Sequence, residues 1–545
     1  MKQSDRGRGD ADILLVSMLA VCASLIAFVV YARRGDLLLA GDAVAHINIA
    51  RRVFDSRTPG LLQLGTVWLP LPHLLMVPFV VSDWAWQTGA GGAIPSMLAY
   101  ILATAGIFRL VRDALQSSGF DSSIARVAAF LGTVAFAANP NLLYVQTTAL
   151  TETISLAASI WAVVYFADFQ RALAQGVDSS GINKAVRNCG VFVAMSAATR
   201  YDGWFLTGVV ICSVLGVAWQ KQKVSELRIS LAKFVLISAA VPVLWIAYNA
   251  IVYRNPLEFS SGPYSARAIE AKSGAGSHPG AGNLAVATLY FFKAAKLNTG
   301  EGPWGAAWAI CLLVGFAGML IFPGSIRSLL LLAVPLPFYA LAIAYSAVPL
   351  YVPQWWPYGY YNVRYGLELL PAFAAGIALL FALGLRASRG RWKLVPPIAA
   401  AILIVGAYGS IWRSQPICYQ EAWLNSRGRI ALESELGKTL RRLPANSTIL
   451  MYLGDHVGAL QYAGIPLQRT INEGNHRVWK QPSDPQGIWE RALADPARNA
   501  DYVVAVADDP VATHANLAGL TAIAVVHARG QKTATLYVAR GNQTR

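Results

Sequence analysis

The sequence predicts an α-helical polytopic membrane protein, with about eleven to thirteen transmembrane helices followed by a small soluble α/β domain. Charged residues make up only 14% of the chain and hydrophobic residues 55%, whereas soluble globular proteins carry about 25% charged residues. Apolar runs recur up to residue 412, and from residue 413 the composition becomes that of a soluble domain. The first part of the chain therefore has too few charges to cover itself in water, and lipid as the solvent removes this requirement.

Transmembrane helices are expected wherever an apolar run approaches the roughly 20 residues that cross a bilayer. The first run is longer than the apolar region of a typical signal peptide, so we expect a retained helix. Two further apolar segments, 68–82 and 286–297, are too short to cross and are expected to be juxtamembrane or re-entrant. The expected spans are 13–32, 92–111, 124–139, 150–168, 187–199, 203–219, 231–252, 304–322, 328–348, 366–386 and 394–412.

Basic residues are concentrated in alternate loops between these runs, and such loops face the cytoplasm. The alternation holds only if segment 68–82 does not cross. We therefore expect a multi-pass protein of the inner (cytoplasmic) membrane with a cytoplasmic N-terminus. The segments 33–91, 253–303, 349–365 and 413–545 would then lie outside. The net charge of +16 follows from these loops, so nucleic acid is not an expected partner.

Two domains are expected: a transmembrane domain at 1–412 and an extracytoplasmic α/β domain at 413–545. In the second, helical patterns alternate with short apolar strands. A glycine-rich stretch at 271–283 is expected to form a flap. The sequence has no visible internal repeat, which counts against transporters built from duplicated halves. The expected helices are 428–443 and 486–494, and the expected strands are 448–453, 502–507, 521–527 and 533–539.

The first candidate site is an acid and a histidine, Asp42 and His46, about ten residues beyond the first span. If 42–55 is helical, the two side chains lie four residues apart on one face. The other face, with Ala43 and Ile47, is apolar, so we expect this helix to lie flat on the membrane surface. The alternative is that Asp42 is only an N-cap and His46 an exposed polar residue.

Three further candidates fall at the outer ends of the expected spans. Glu152 is a carboxylate at the outer end of a helix. The alternative is an ordinary first-turn carboxylate that the helix dipole stabilises. Arg200 and Asp202 lie at a short turn, where the alternative is a local ion pair. Arg364, followed by Tyr365, is an outer arginine suited to gripping a phosphate.

For Arg364 the alternative is an aromatic belt with one arginine reaching the interface. In the orientation derived from the charges, all four candidate sites fall on the outer face. We therefore expect their carboxylates, histidine and arginines to line one extracytoplasmic cavity.

These motifs, in this order, resemble those of the GT-C superfamily of membrane glycosyltransferases, which includes protein O-mannosyltransferases and aminoarabinose transferases. An acid in the first outer loop, Asp42, is followed by a Pro-rich segment at 61–74. Glu152 occupies the place of a second outer-loop acid. Arg364-Tyr365, with Pro371 after it, is similar to the superfamily's late Arg-Tyr segment.

The C-terminal domain adds a further likeness, because residues 454–462 resemble an Asp-x-Gly-Ala…Tyr element of bacterial members. Two features depart from the superfamily patterns. Asp42 is followed by alanine where many members have a second acid, so the second acid's role would fall to Glu152 or Asp202. The Trp-Trp pair at 355–356 is followed by proline rather than aspartate, which argues against transfer of an oligosaccharide to nitrogen.

The resemblance implies an inverting glycosyltransferase that moves a sugar from a polyprenyl-phosphate donor to the hydroxyl of a protein, lipid or glycan acceptor. Asp42 would be the base and Glu152 a second catalytic acid. The other site residues would bind substrate; they are His46, Arg200, Asp202, Arg364 and Tyr365.

No cofactor is expected, and no metal site, because the sequence has no Cys-x-x-Cys pair or tight His/Asp cluster. A requirement for a divalent metal is left open. The alternative function is a transporter or flippase of a lipid-linked or anionic substrate, which would also use buried arginines and carboxylates.

Overall fold

The computed structural model describes residues 3–263, 265–273, 278–322, 324–475 and 486–538. Helices dominate the described chain. In chain order, α1 to α25 are Gln3–Arg34, Gly41–Arg52, Leu71–Met76, Asp83–Thr88, Ala90–Ser117, Ser122–Ala137, Pro140–Val145, Glu152–Ala174, Ser179–Ala197, Asp202–Gln220, Arg228–Val252, Glu258–Ser261, Ala266–Ser273, Leu284–Thr299, Gly302–Ile321, Ser325–Ser328, Pro335–Tyr345, Leu370–Ala387, Val395–Ser414, Ile417–Leu440, Leu453–His456, Gly458–Ala463, Ile488–Ala494, Pro496–Asn499 and Pro510–His514.

Every expected span falls on a helix or on a run of consecutive helical turns. Within the described residues, nine helical segments are long and apolar enough to cross a membrane. The helices at two other expected spans are α6, which is apolar but has only 16 residues, and α9 with 19. The described part of segment 68–82 contains a helix of only six residues, Leu71–Met76, which is too short to cross. The protein is therefore a multi-pass membrane protein, as the sequence predicted.

The contacts divide the chain into two compact units, which we describe separately. Unit 1 contains 1–33, 95–244 and 266–421, and it holds most of the apolar helices. Unit 2 contains 34–94, 245–265 and 422–545, and it holds the long first loop and the C-terminal sheet. The domain boundary expected after residue 412 stays a prediction. The expected flap at 271–283 lies partly outside the described residues.

Helix packing in unit 1 relies on small residues that let backbones touch. A Cβ atom added to Gly132 of α6 would stand 2.9 Å from the backbone oxygen of Ala374 in α18. A Cβ atom added to Gly315 of α15 would stand 2.7 Å from the Cα of Gly376. Such contacts are typical of membrane helices, because close packing replaces the hydrophobic effect as the force between them.

The C-terminal part of unit 2 is an α/β domain, as expected, and its sheet has five strands. The strands β1 to β5 are Ile449–Met451, Thr470–Ile471, Tyr502–Val506, Thr521–Val526 and Ala534–Val538. Their order across the sheet is β2-β1-β3-β5-β4. The first three strands are parallel, whereas β5 pairs antiparallel with both β3 and β4. The sequence predicted four of these strands but not β2, which has only two residues.

The first loop folds against this domain through buried polar contacts inside unit 2. Asn48 of α2 donates to Gln461 at 3.0 Å and accepts from the indole of Trp86 at 2.9 Å. Arg51 of the same helix contacts the buried carboxylate of Asp55 at 2.8 Å and the exposed carboxylate of Asp83 at 2.6 Å. These contacts satisfy the buried polar groups of α2, which would be costly if left unpaired.

The surroundings of α2 correct one expectation. The helix itself was predicted, and it spans Gly41–Arg52. However, its apolar face does not lie on the membrane surface, because Ala43, Ile47 and Ala50 are completely buried in protein. Phe54, an apolar residue just beyond the helix, is exposed. The apolar pattern was read correctly, but it cannot distinguish lipid from a protein interior, since both accept the same side chains.

Candidate functional site

A cluster of buried charges in unit 1 is centred on the carboxylate of Glu152. This residue begins α8, and its side chain is only 1% exposed. One oxygen, Oε1, accepts hydrogen bonds from Arg200 at 3.1 Å and from Arg364 at 2.9 Å. Two guanidinium groups that lie far apart in sequence therefore converge on one carboxylate oxygen. The ion pairing goes well beyond the first-turn dipole role considered for Glu152.

The guanidinium of Arg200 bridges several helices. Besides Glu152, it donates to the hydroxyl of Thr151 at 2.9 Å and to that of Tyr339 at 2.8 Å. The carboxylate of Asp202, two residues along the chain, lies 3.8 Å from Nε. The local Arg–Asp pair considered as an alternative is present, but the shorter contacts of Arg200 are with other helices.

Arg364 lies in a 3₁₀ segment, Val363–Leu369, that leads into α18. Its second ion pair is with Glu421, at 3.3 Å. Glu421 also accepts from the backbone N–H groups of Asn362 and Val363 at 2.7 Å and 2.8 Å. The acid therefore fixes both the guanidinium and the turn that carries it, which is a stiffer arrangement than an arginine reaching for the interface.

The ring of Tyr365 lies beside both arginines. The guanidinium carbon of Arg200 is 4.9 Å from the ring centroid, and that of Arg364 is 5.2 Å away. The ring of Tyr339 stacks on Tyr365 at 5.1 Å. Since aromatic faces attract cations, this pair of rings helps to hold two like charges close together.

Two glycines allow this cluster to assemble. A Cβ atom on Gly203 would stand 2.4 Å from backbone atoms of Ser196, and one on Gly366 would stand 2.5 Å from the backbone at Ala294 and Ala295. Each glycine follows directly after a site residue, Asp202 or Tyr365. The close backbone contacts therefore help to fix the positions of Asp202 and Tyr365 in unit 1.

The cluster contains two carboxylates and a tyrosine that the sequence analysis missed. Glu368 is 2% exposed, and its Oε1 has no hydrogen-bond partner among the described residues; the nearest cation, Nε of Arg200, is 3.7 Å away. Glu421 was also missed, and so was Tyr339. A carboxylate in an apolar run, four residues after Arg364, was the available signal for Glu368. No signal in the sequence pointed to Tyr339.

The other two predicted site residues, Asp42 and His46, belong to unit 2. Both lie on α2, where Asp42 occupies the first turn. The Nδ1 atom of His46 is 2.9 Å from the Nε2 atom of His73, a residue that the sequence analysis did not single out. Burial holds the pKa of His73 well below its usual value of 6.5, and the charges of His46 and Arg52 lower the pKa further.

The convergence of all seven predicted site residues in one cavity stays a prediction. Five of them, Glu152, Arg200, Asp202, Arg364 and Tyr365, lie together in unit 1, whereas the other two share one helix of unit 2. Within the described residues, no group of three or more His, Cys, Asp or Glu side chains is arranged to hold a metal ion. The metal requirement likewise stays a prediction.

Comparison with known proteins gives a fold but no close relative. No protein-family model matches the sequence, and no curated protein matches it. Among solved structures, the chain is similar to ArnT from Cupriavidus metallidurans bound to undecaprenyl phosphate, with a TM-score of 0.54 and 14% identity over 96% of this chain and 98% of that one.

The apo state of the same protein gives a TM-score of 0.51 with the same identity and coverage. At this identity the likeness concerns the fold alone. Because ArnT is a GT-C membrane glycosyltransferase, the chain has the GT-C fold that the order of its motifs predicted.

Proposed function

We propose that this protein is a glycosyltransferase that moves a sugar from a polyprenyl-phosphate donor to an acceptor hydroxyl at the outer face of the membrane. The observation that carries the proposal is the pair of largely buried arginines, Arg200 and Arg364, held together on one oxygen of the buried Glu152. Two guanidinium groups this close suit a ligand with several anionic oxygens, as a phosphate has.

The fold supports the class of donor. ArnT, whose fold the chain shares along nearly its whole length, binds undecaprenyl phosphate. A polyprenyl phosphate places its anionic group at the membrane surface and its chain in lipid. A multi-pass protein with buried cations is a suitable receptor for such a molecule.

The reaction needs a proton acceptor and a stabilised leaving group. In the proposed step, the acceptor hydroxyl gives its proton to the carboxylate of Asp42, and its oxygen attacks the anomeric carbon of the sugar. The bond from that carbon to the phosphate oxygen breaks, and the electron pair stays on the phosphate. Arg364 and Arg200 stabilise the negative charge that grows there. A single displacement of this kind inverts the anomeric centre.

Glu152 has a different proposed part in this reaction. Its Oε1 already accepts from both arginines, so proton transfer would compete with two charged hydrogen bonds. We propose that Glu152 holds the two guanidinium groups in position before the donor arrives. The hypothesis from the sequence that Glu152 is a catalytic acid stays a prediction. The positioning role implies that Glu152→Gln also loses stability, which the catalytic role does not require.

The test uses purified full-length protein in liposomes that contain a polyprenyl phosphate carrying a radiolabelled sugar. Each of several sugars is supplied in turn, with envelope lipids and proteins as acceptors. We expect Asp42→Asn to retain donor binding but to lose transfer. We expect Arg364→Ala to bind the donor more weakly and to transfer sugar about 100-fold more slowly. A rate loss of this size is typical of removing one hydrogen-bond donor that stabilises a developing oxyanion.

A matched control is Arg109→Ala. Arg109 also pairs with a carboxylate, that of the partly buried Asp168, at 2.6 Å, and also faces two aromatic rings, but it lies elsewhere in unit 1. This variant should transfer sugar normally. Transfer by Asp42→Asn would exclude Asp42 as the base, and unchanged donor affinity in Arg364→Ala would exclude the phosphate role. Movement of intact donor across the bilayer without transfer would favour the alternative of a flippase.

A further inference from the structure

Three polar atoms of the charge cluster in unit 1 have no hydrogen-bond partner in the part of the chain that the structure describes. They are Oε1 of Glu368, Oε2 of Glu152 and Nε of Arg200. The side chains of the two acids are 2% and 1% exposed, and that of the arginine is 14% exposed. Because buried polar atoms are almost always hydrogen-bonded, these three are suited to a ligand that would pair them.

The three atoms belong to side chains that lie against one another. Nε of Arg200 is 3.7 Å from Oε1 of Glu368, which is too long for a hydrogen bond. The same guanidinium donates to the carboxylate of Glu152 through Nη1, at 3.1 Å. A carboxylate only accepts hydrogen bonds and a guanidinium only donates them. A ligand that pairs all three atoms must therefore both donate and accept.

Hydroxyl groups meet this requirement, because each one donates a hydrogen bond and can also accept. A phosphate oxygen could pair Nε of Arg200, but it would be repelled by the carboxylate of Glu368. An ammonium group could pair the two acids, but it has no acceptor for Arg200. Neighbouring hydroxyl groups, as a sugar carries them, can satisfy the two acids and the arginine together.

The side chain of Glu368 also borders a pocket. The other walls include Asp202 and several apolar side chains, among them Leu156 of α8, Leu206 of α10 and Pro371 of α18. Small-molecule sites usually have mostly apolar walls and a few polar groups that fix the orientation of the ligand. Glu368 is therefore within reach of a ligand, although protein covers nearly all of its side chain.

We propose that Glu368 accepts a hydrogen bond from the donor sugar, from the hydroxyl on the carbon next to the anomeric carbon. This inference rests on the proposed function, which places the donor phosphate on Arg200 and Arg364. Since the phosphate is attached to the anomeric carbon, the hydroxyl on the neighbouring carbon lies close to the phosphate. Glu368 offers an unpaired acceptor beside Arg200, at the place where this hydroxyl is expected. The protein then selects its donor by this hydroxyl.

The test compares two donors that differ by one oxygen atom. One is the polyprenyl-phosphate sugar that is active in the transfer assay, and the other is its deoxy analogue, with hydrogen in place of the hydroxyl next to the anomeric carbon. We expect the unaltered protein to have a kcat/KM about 10- to 100-fold lower for the deoxy donor, the loss typical of one hydrogen bond to a charged group. Glu368→Leu should remove this difference. The control is an analogue that lacks the hydroxyl farthest from the anomeric carbon, and Glu368→Leu should not alter its relative kcat/KM.

An equal preference for the complete donor in the unaltered protein and in Glu368→Leu would overturn the inference. If Glu368→Leu does not fold, Glu368→Gln decides the question, because it removes the charge and almost no volume. A neutral acceptor makes a weaker hydrogen bond than a carboxylate does, so we expect a smaller difference between the two donors in Glu368→Gln. An unchanged difference in this variant would refute the role of Glu368.

Binding in the absence of an acceptor separates this inference from the proposed function. Both Glu368 variants should bind polyprenyl phosphate without a sugar at least as tightly as the unaltered protein, and should bind the sugar-bearing donors more weakly. Equal affinity of all three proteins for each sugar-bearing donor would overturn the inference, even if sugar is transferred. If the unaltered protein transfers no sugar but the variants lose affinity for a sugar-bearing donor as expected, the proposed function fails and the sugar contact stands.

Discussion

Replacing Glu152 by glutamine is the sharpest test of the charge cluster, because it removes one charge and almost no volume. The carboxylate is 1% exposed, and its Oε1 receives two guanidinium groups at 2.9 Å and 3.1 Å. In the Glu152→Gln variant the two cations remain largely buried and close together, but the charge between them is gone. The amide oxygen of the glutamine can still accept a hydrogen bond from an arginine, so part of the hydrogen bonding is kept. The negative charge that offsets the two guanidinium groups is lost.

The expected loss of stability follows from this environment. Removing one partner of a buried ion pair typically costs about 3–5 kcal/mol, because the other charge stays uncompensated. Since the amide keeps one acceptor oxygen, we expect the lower end, about 3 kcal/mol. Glu368→Gln is the matched control. Glu368 is equally buried, but its Oε1 makes no hydrogen bond among the described residues, so we expect a change below about 1 kcal/mol.

The assay is reversible unfolding of the purified full-length variants in mixed micelles, followed by tryptophan fluorescence. A Glu152→Gln protein as stable as the unaltered one would refute the claim that Glu152 compensates two buried cations. Equal losses in Glu152→Gln and Glu368→Gln would refute it as well, because the effect would then come from any change in this region. Restored stability of Glu152→Gln on adding polyprenyl phosphate would support the proposal that Arg200 and Arg364 bind the phosphate of the donor.

Three further predictions use the same unfolding measurement. Gly203→Ala should lower the free energy of unfolding by about 1–3 kcal/mol, since the new Cβ would stand 2.4 Å from backbone atoms. Its control, Gly208→Ala on the same helix, places a Cβ that meets nothing within 4 Å. The free energy of unfolding of this control should be unchanged or rise by up to about 1 kcal/mol. Arg51→Ala should lower the free energy of unfolding by about 3–5 kcal/mol, because the substitution leaves the buried carboxylate of Asp55 without its cation. Stability should also fall as the pH drops below 6.5, because the unfolded chain gains a proton at His73 that the folded chain, with its lowered pKa, does not bind. This contribution is at most about 1.4 kcal/mol per pH unit, and the slope between pH 8 and pH 5 should be shallower in His73→Gln.

Much of the fold could be predicted because lipid restricts the backbone so strongly. A chain that crosses a bilayer must satisfy its own hydrogen bonds, so each apolar run of sufficient length becomes a helix. The four longer strands of the C-terminal sheet were also predictable, since their apolar runs are bounded by turn residues. The strand Thr470–Ile471 was not, because two residues carry no recognisable pattern.

The candidate site was predictable in its members but not in its contacts. Glu152 stood out because an ionisable residue at membrane depth is costly and needs a reason. Arg364 stood out as an outer arginine suited to a phosphate, and Arg200 as a charge at a short turn. Their mutual contacts were invisible, since Arg364 and Glu152 are 212 positions apart. The same holds for His73, a single histidine in a Pro-rich stretch until the fold brings it to His46.

The sequence by itself determined where the long apolar helices lie, where the strands of the C-terminal sheet begin and which charged residues are out of place in an apolar setting. Only the tertiary structure decided what each apolar face touches, as Ala43 and Ile47 of α2 show, and which carboxylate faces which guanidinium. The physical reason is that hydrophobicity is non-directional and is read from local composition. Ion pairs and imidazole hydrogen bonds depend on distances of about 3 Å between distant parts of the chain, and only folding sets those distances.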